Sequence, residues 1–402
     1  MEKEVIIVGA GLAGSLWAVY LTNAGYKVSI YESRPDIRKA EIKAGKSINL
    51  ALSDRGWNAL QHAKIEKQIE PIAIPMSGRI MHSTSGDLTY QAYGKEKQAI
   101  YSISRGDLNK KMVEIATEKG AQLFYNEKCI DTDTNKGIVT FQNSIIKEIK
   151  TVKADLVFGA DGAFSKVRYA GMQKLPRFNY SQKYIEDGYK ELLLPANDDG
   201  SYKLDKNALH IWPRGRFMLI ALPNDDGSFT CTLFMPYKGG DNAFDSLDTD
   251  EKVISFFKST FPDFYSMMPN LLENWHAHPL SSLAIIRCYP WTNKTTALIG
   301  DAAHATVPFY GQGMNASFED CFVMNELMLK HNHDWPNIFK EYETVRKPDG
   351  DAIQDLSLHN YYVMRDYVSE PKFLLQKKIE ARIFEKHPTK WMPLYSQVTF
   401  SQ

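Results

Sequence analysis

Cysteine is scarce: the 402 residues hold four, Cys129, Cys231, Cys288 and Cys321, with no Cys-x-x-Cys spacing among them. That excludes a disulfide framework and a cysteine-built zinc site, and it fits a reducing compartment. Charge of one sign is missing too. Lys and Arg total 48, as do Asp and Glu, so no net field favours nucleic acid or an anionic membrane. No apolar run approaches the roughly 18 residues of a membrane span. The run Val5 to Val8, after the charged Met1-Glu2-Lys3-Glu4, is too short for a signal peptide. Internal repeats and low-complexity tracts are also absent, which sets aside solenoids and disordered linkers.

What the chain does have is length for a large core in two or three domains. Aromatic residues make up 12%, with Tyr 21 and Phe 20, enough for that core and for an aromatic-lined pocket. Val5 to Val8 reads as a strand buried on both faces. Gly9-x-Gly11-x-x-Gly14 follows, then a helical stretch to about Asn23 and a second strand over Lys27 to Glu32; together they make one βαβ unit. Ala154 to Phe158 and Ala297 to Ile299 are further short apolar strands, each running into a glycine-containing turn. From about Pro176 to Pro236 polar and apolar residues alternate. Within that stretch Phe217 to Leu222, the turn Asn224-Asp225-Asp226-Gly227, and Phe229 to Phe234 predict an antiparallel hairpin. After Lys347-Pro348 the pattern turns helical, with Ile353, Leu356, Asn360, Met364 and Tyr367 on one face.

Three segments carry chemistry. In Gly9-x-Gly11-x-x-Gly14 the glycines permit a tight turn and a close approach of backbone to pyrophosphate at a helix N-terminus, and Glu32 ends the second strand where a ribose hydroxyl would lie. This motif alone does not separate FAD from NAD. The second segment is Asp155-Leu156-Val157-Phe158-Gly159-Ala160-Asp161-Gly162, with Ser165 and Arg168 downstream. Here Asp161 is placed to cap the following turn and Arg168 to pair with it. In the third, a buried strand delivers Leu298-Ile299-Gly300-Asp301-Ala302-Ala303-His304, and Pro308-Phe309-Tyr310-Gly311-Gln312-Gly313-Met314-Asn315 opens a helix at about Met314. Its free N–H groups and positive dipole end suit an electron-rich ring edge. A lone histidine such as His304, after Asp-Ala-Ala, reads as structural rather than as a base.

The second and third segments resemble the Asp-Gly and Gly-Asp motifs of the class A FAD-dependent aromatic hydroxylases. Further stretches sharpen the resemblance, over essentially the whole chain, to the kynurenine 3-monooxygenase family. They are Lys46 to Ser53 with Arg55-Gly56, Ile74-Pro75-Met76, Pro176-Arg177-Phe178, Tyr180-Ser181-Gln182, His210 to Arg214, Thr230 to Pro236, and Trp391 to Tyr395. The resemblance implies an α/β protein: a Rossmann-type FAD-binding domain with an antiparallel-sheet substrate domain of α+β type and a C-terminal helical region. The implied limits are 1–75, 100–175 and 281–345 for the FAD-binding domain, 76–99 and 176–280 for the substrate domain, and 346–402 for the helical region. The implied activity is hydroxylation of L-kynurenine to 3-hydroxy-L-kynurenine through a flavin hydroperoxide, with tightly held FAD, transient NADPH and O2. Within metabolism this is a step of tryptophan catabolism toward NAD biosynthesis.

Residue by residue, the resemblance places cofactor contacts at Gly9, Gly11, Leu12, Ala13, Gly14, Glu32, Arg34, Ala51, Arg105, Cys129, Asp301, Gly313, Met314 and Asn315. Substrate contacts fall at Arg79 and Tyr93, which would hold the carboxylate, and at Asn360, Met364 and Tyr395. Pro308, Phe309 and Gln312 would line the pocket beside the flavin. No side chain is assigned as a catalytic acid or base and no metal is expected. Each assignment has an ordinary alternative: a surface ion pair for Arg79, packing for Tyr93 and Tyr395.

Two departures stand out. Val363 occupies a position where the family carries an acid, so any role of that carboxylate is lost or met elsewhere. The chain also ends at Gln402 without an apolar anchoring tail, so a soluble, cytoplasmic protein is expected, a monomer or weak homodimer with no nucleic-acid or membrane partner. Two other readings remain: a hydroxylase of the same fold acting on another aromatic acid, and a non-catalytic FAD-fold binding protein.

Overall fold

The computed structural model describes residues 3–39, 49–93, 98–363, 371–387 and 390–400. Met364, Tyr367 and the stretch Lys46-Ser47-Ile48 lie outside the described residues.

The short apolar runs become a six-stranded sheet in the order Thr292–Asn293, Thr296–Leu298, Leu156–Gly159, Glu4–Val8, Lys27–Tyr31 and Gln122–Phe124. All neighbours pair in parallel except the first two strands, which pair antiparallel. Helix Leu12–Asn23 covers one face, buries Leu16 to Leu21 completely or nearly so, and sets Trp17 edge-on to Phe158. This is the doubly covered parallel sheet expected of near-continuous apolar strands.

A seven-stranded sheet stands beside it, in the order Ser281–Tyr289, Asn179–Leu194, Phe229–Pro236, Met218–Pro223, Ala208–Pro213, Gly78–His82 and Leu88–Ala92. The expected hairpin is there, with Pro223 opposite Phe229. Two details correct the sequence reading. The strand Phe229–Pro236 is buried at every position, so this sheet has no solvent face at its centre and the anticipated polar alternation does not hold. Its two faces sort by parity instead: Trp212, Leu219 and Leu233 pack under the helices Asp250–Thr260, Pro262–Met267 and Leu271–Ala277, while Met218 and Phe234 line the opposite side with Phe309 and Tyr361. The strand Ser281–Tyr289, assigned to the FAD-binding part by the expected limits, forms the edge of this second sheet.

The last part is helical but begins earlier than expected. One helix runs Trp335–Tyr362 straight through Pro348. Proline removes one hydrogen bond from a helix interior, but tertiary contacts hold both sides. Arg346 is tied to Asp320, and Gln354 donates to the carbonyls of Ile286 and Ala305. The buried face is Ile353, Gln354, Ser357 and Tyr361, rotated from the face drawn through Leu356 and Asn360.

Candidate active site

The nucleotide cradle starts where Glu4–Val8 ends. Gly9 adopts φ +104, and a Cβ there would lie 2.5 Å from the carbonyl oxygen of Ala160; one at Gly14 would lie 2.1 Å from that of Gly9. Those two glycines serve close packing. A Cβ at Gly11 would meet nothing within 4 Å, so its α-carbon faces open space. Helix Leu12–Asn23 begins there with no side-chain cap, leaving the first-turn N–H groups of Leu12 and Ala13 for an anion. Glu32 is buried. It accepts hydrogen bonds from the Ala10 amide (2.8 Å) and from the Arg34 amide (2.9 Å) and Nε (2.8 Å). Burial alone would raise its carboxyl, but the Arg34 contacts win and hold it below the ordinary value.

Asp161 caps as expected, its carboxylate accepting from the amides of Lys166 (2.6 Å) and Val167 (3.2 Å). Arg168 does not pair with it. Its guanidinium donates to the carbonyls of Ala302 and Ala163, both at 2.6 Å, which ties this segment to the one carrying Asp301. Five donors in a rigid fork suit two carbonyls on different loops.

Asp301 starts the short helix Asp301–His304, and its carboxylate makes no hydrogen bond among the described residues. His304 is structural: it pairs with buried Asp320, which also accepts from the Gly300 amide (2.9 Å) and Arg346 (2.8 Å). Helix Gly313–Lys330 opens after Gln312, again with no side-chain cap. The side chain of Asn315 is used up internally, accepting from the Ser53 amide (3.0 Å) and donating to the carbonyls of Ala51 (2.8 Å) and Gly311 (2.9 Å). Asn315 thereby fastens the strand Asn49–Leu52, bearing Ala51, against this helix start, and its backbone amide is what it offers a ligand. Gln312 is buried beside Ser53 (3.5 Å). Cys129 likewise packs its side chain into the core, where burial pushes the thiol up to about 12. Arg34 and Arg105 extend to the surface.

The pocket residues converge in part. Arg79 on the strand Gly78–His82 donates from Nε to Gln91 (2.9 Å) and its guanidinium carbon lies 5.7 Å from the ring centre of Tyr395. Tyr395 stacks with Tyr93 (5.8 Å, 22°) and lies 5.4 Å from Tyr310. Tyr93 is 6% exposed and its hydroxyl has no hydrogen-bond partner among the described residues; burial pushes that hydroxyl well up. Asn360 donates to the carbonyl of Phe309 (2.6 Å) and so fixes the turn Pro308–Tyr310. Phe309 packs 5.0 Å from Phe234 and 4.8 Å from Tyr361, whereas Pro308 is exposed. Tyr310 was not singled out from the sequence; its place beside Phe309 in the same motif was the available signal.

A group with an anionic pyrophosphate and an electron-rich ring fits what is present: an open α-carbon at Gly11, two helix starts without caps, and Asp301 without a hydrogen-bond partner among the described residues. The comparisons agree. The FAD binding domain family matches residues 2–186 and 282–357. The kynurenine 3-monooxygenase of Flavobacterium psychrophilum is 51% identical over 100% of this chain and 89% of its own length. That of Dictyostelium discoideum is 43% identical over 100% and 89%. The chain belongs to the kynurenine 3-monooxygenase family. Family membership settles the cofactor as FAD and the class as flavoprotein monooxygenase. Solved structures agree on the fold. A 2-methyl-3-hydroxypyridine-5-carboxylic acid oxygenase superposes with TM-score 0.74 over 93% of this chain and 95% of its own, at 20% identity. A tetracycline destructase does so with TM-score 0.66 over 98% and 99%, at 17% identity.

Proposed function

We propose that the protein hydroxylates L-kynurenine at the ring 3-position, giving 3-hydroxy-L-kynurenine, with FAD, NADPH and O2. The observation that carries the reading is the meeting of Arg79, Tyr93 and Tyr395 beside an apolar wall that ends at Phe309 and an uncapped helix start. When bound, FAD takes reducing equivalents from NADPH and activates dioxygen for transfer to an aromatic ring.

The chain's own residues bind and orient. Arg79 takes the substrate carboxylate, and the hydroxyl of Tyr93, without a partner among the described residues, donates to it. Tyr395 stacks on Tyr93 and fixes the guanidinium by a cation–π contact. Asn360 holds the carbonyl of Phe309, so the aromatic ring of Phe309 keeps its place against Phe234 and Tyr361. Met218, Ile220 and Phe234 exclude water from that side. No side-chain acid or base is needed, because the aniline ring of kynurenine is itself electron-rich. Gly11, Leu12, Ala13 and Glu32 would hold the ADP end of FAD, on a turn that Gly9 and Gly14 let pack closely; Arg34, Ala51, Arg105, Asp301, Gly313, Met314 and the amide of Asn315 would complete its contacts. We divide the chain into an FAD-binding part on the parallel sheet, a substrate part on the seven-stranded sheet, and the C-terminal helices.

Among the described residues no helix is long and apolar enough to cross a membrane. Equal totals of acidic and basic residues, 48 each, give no net field toward nucleic acid or an anionic membrane, in keeping with our reading of a cytoplasmic protein without such partners. The test is NADPH consumption by the yellow protein with and without L-kynurenine, with product mass. Stimulation with gain of one oxygen supports the reading. Stimulation by a hydroxybenzoate and not by kynurenine moves the substrate to another aromatic acid.

A further inference from the structure

Alternation along Gly78–His82 puts Arg79 and His82 on opposite faces of the sheet. On the face away from Arg79, His82 and His210 meet beneath the helix Pro262–Met267. The two rings form a single chain of hydrogen bonds. Asp263 Oδ2 faces His82 Nδ1, His82 Nε2 faces His210 Nδ1, and His210 Nε2 faces the carbonyl oxygen of Asp205, each link at 2.9 Å. Both histidines are buried, 3% and 2% exposed. Trp212 stacks on His82 at 3.9 Å and donates to the same carboxylate oxygen of Asp263 at 2.8 Å.

Counting protons decides what this chain is. Both of its ends, a carboxylate and a carbonyl, are acceptors, so three links need three protons. Two neutral imidazoles bring only two, one each. The chain is complete only when the pair holds one more, as an imidazolium paired with Asp263. Of the two rings only His82 faces a carboxylate, Asp263, whereas His210 faces a neutral carbonyl, so the geometry sets the additional proton on the Asp263 side of the pair; burial pulls His210 down to about 4. Burial would raise Asp263, but its hydrogen bonds from His82 and Trp212 bring it down to about 2, so it supplies the countercharge. The other charged groups around the pair are Arg214, whose guanidinium donates to the carbonyls of His82 (2.9 Å) and Thr260 (2.7 Å), and Asp205, whose own carboxylate caps Asn207 (2.8 Å).

We propose that the His82–His210 pair is a positioning device for Arg79: carrying three ring protons it locks the strand Gly78–His82 in place, and on losing one it releases that strand and weakens substrate binding. His82 is the last residue of this five-residue strand and Arg79 lies three positions before it, in register with Leu209 next to His210. Without the third proton two lone pairs face each other across one of the links. That loss reaches Arg79 through the strand, with no contact between either histidine and the substrate. The inference rests on the reading that Arg79 holds the substrate carboxylate.

The experiment uses the FAD-loaded protein with 15N-labelled histidine, followed by NMR from mildly acid to mildly alkaline pH, beside kcat and KM for L-kynurenine over the same range. The expected result is one imidazolium in the pair, on the ring facing Asp263, and a roughly threefold to tenfold rise in KM as the pair loses its third proton, with kcat nearly constant. Asp263→Asn removes the countercharge and should move the titration and the KM rise together to lower pH; Asp263→Glu should return both toward the original. That joint movement also separates the pair from the substrate's own amino group, which no protein variant shifts. Two neutral histidines at every pH overturn the proposal, as does a KM that stays flat while the pair loses its third proton. Arg79→Ala keeps the layers apart. If it leaves KM unchanged, the carboxylate reading itself falls; if it raises KM while KM ignores the pair's titration, only the present inference falls.

Discussion

Arg79 and Tyr93 are unequal partners, and the difference is measurable. Arg79 has neighbours of its own, Gln91 and the ring of Tyr395, whereas the hydroxyl of Tyr93 is buried with no partner among the described residues. A buried unpaired hydroxyl costs about 1–3 kcal/mol. Tyr93→Phe should therefore leave Tm unchanged or slightly raised, while KM for L-kynurenine rises several-fold as the proposed bond to the substrate carboxylate is lost. Arg79→Ala should raise KM by about 10- to 100-fold, the worth of a charge-assisted hydrogen bond of about 1.5–3 kcal/mol, with FAD affinity untouched. Steady-state kinetics and thermal melts on the two variants check both; a destabilised Tyr93→Phe protein with unaltered KM would make that tyrosine a packing residue. Residue types alone conveyed that Arg79, Tyr93 and Tyr395 could bind a carboxylate. That Asn360 serves the turn at Phe309, and that Asn315 spends its side chain on Ala51 and Ser53, depends on partners 51 and more than 250 positions away in the chain, beyond any local pattern.

At the level of elements, the two glycines that flank the first helix start do different work, and one substitution at each separates them. Gly14→Ala puts a Cβ 2.1 Å from the Gly9 carbonyl oxygen, a contact that backbone cannot relieve cheaply, so the apoprotein should lose stability by several kcal/mol or fail to fold. Gly11→Ala adds a methyl to open space at φ −74 and ψ −177, a conformation open to any residue. It should fold with near-normal Tm as apoprotein and bind FAD at least tenfold more weakly, read by flavin fluorescence on titration. Elements whose signal is local were legible: the strand–Gly–helix unit, the hairpin across Asn224 to Gly227, and the helix opening at Gly313. Elements decided by tertiary contacts were not. Pro348 reads as a helix boundary from the chain alone, yet Arg346 and Gln354 anchor the helix on both sides of it. The strand Phe229–Pro236 looks half-polar through Thr230 and Thr232, but helices cover one face and the pocket wall the other.

For the whole molecule, the central fact is that distant segments meet at buried polar nodes, and these nodes set how stability responds to pH and cofactor. Asn315 ties the strand Asn49–Leu52 to the helix Gly313–Lys330, and Asn49 ties the same strand to the seven-stranded sheet by donating to the carbonyl of Pro223 (2.9 Å) and to Asn224 (2.8 Å), so removing FAD should lower a single cooperative transition, by RT ln(1 + [FAD]/Kd), rather than melt one part first. The node at Asp320 is deeper. Its carboxylate is 0% exposed and joins His304, Arg346 and the Gly300 amide. Burial opposes both charges, but the pairing wins: His304 is raised and Asp320 lowered from their ordinary values. Asp320's contribution is present above its unfolded value near 3.9 and disappears as pH falls through the lower folded one. His304's is complete below its unfolded value near 6.5 and disappears as pH rises through the higher folded one. Tm should accordingly peak on the mildly acid side of neutrality and fall on both flanks. Asp320→Asn should erase the alkaline fall that belongs to His304, and it should cost about 3–5 kcal/mol by leaving Arg346 buried against a neutral amide. Calorimetry of both proteins across pH reads the two effects separately. A variant as stable as the parent, with the same alkaline flank, would show that the charge on Arg346 is carried by Glu319 and Asp349, its other partners at 2.7 and 3.0 Å, and that the node is held from the helix surface instead of from Asp320.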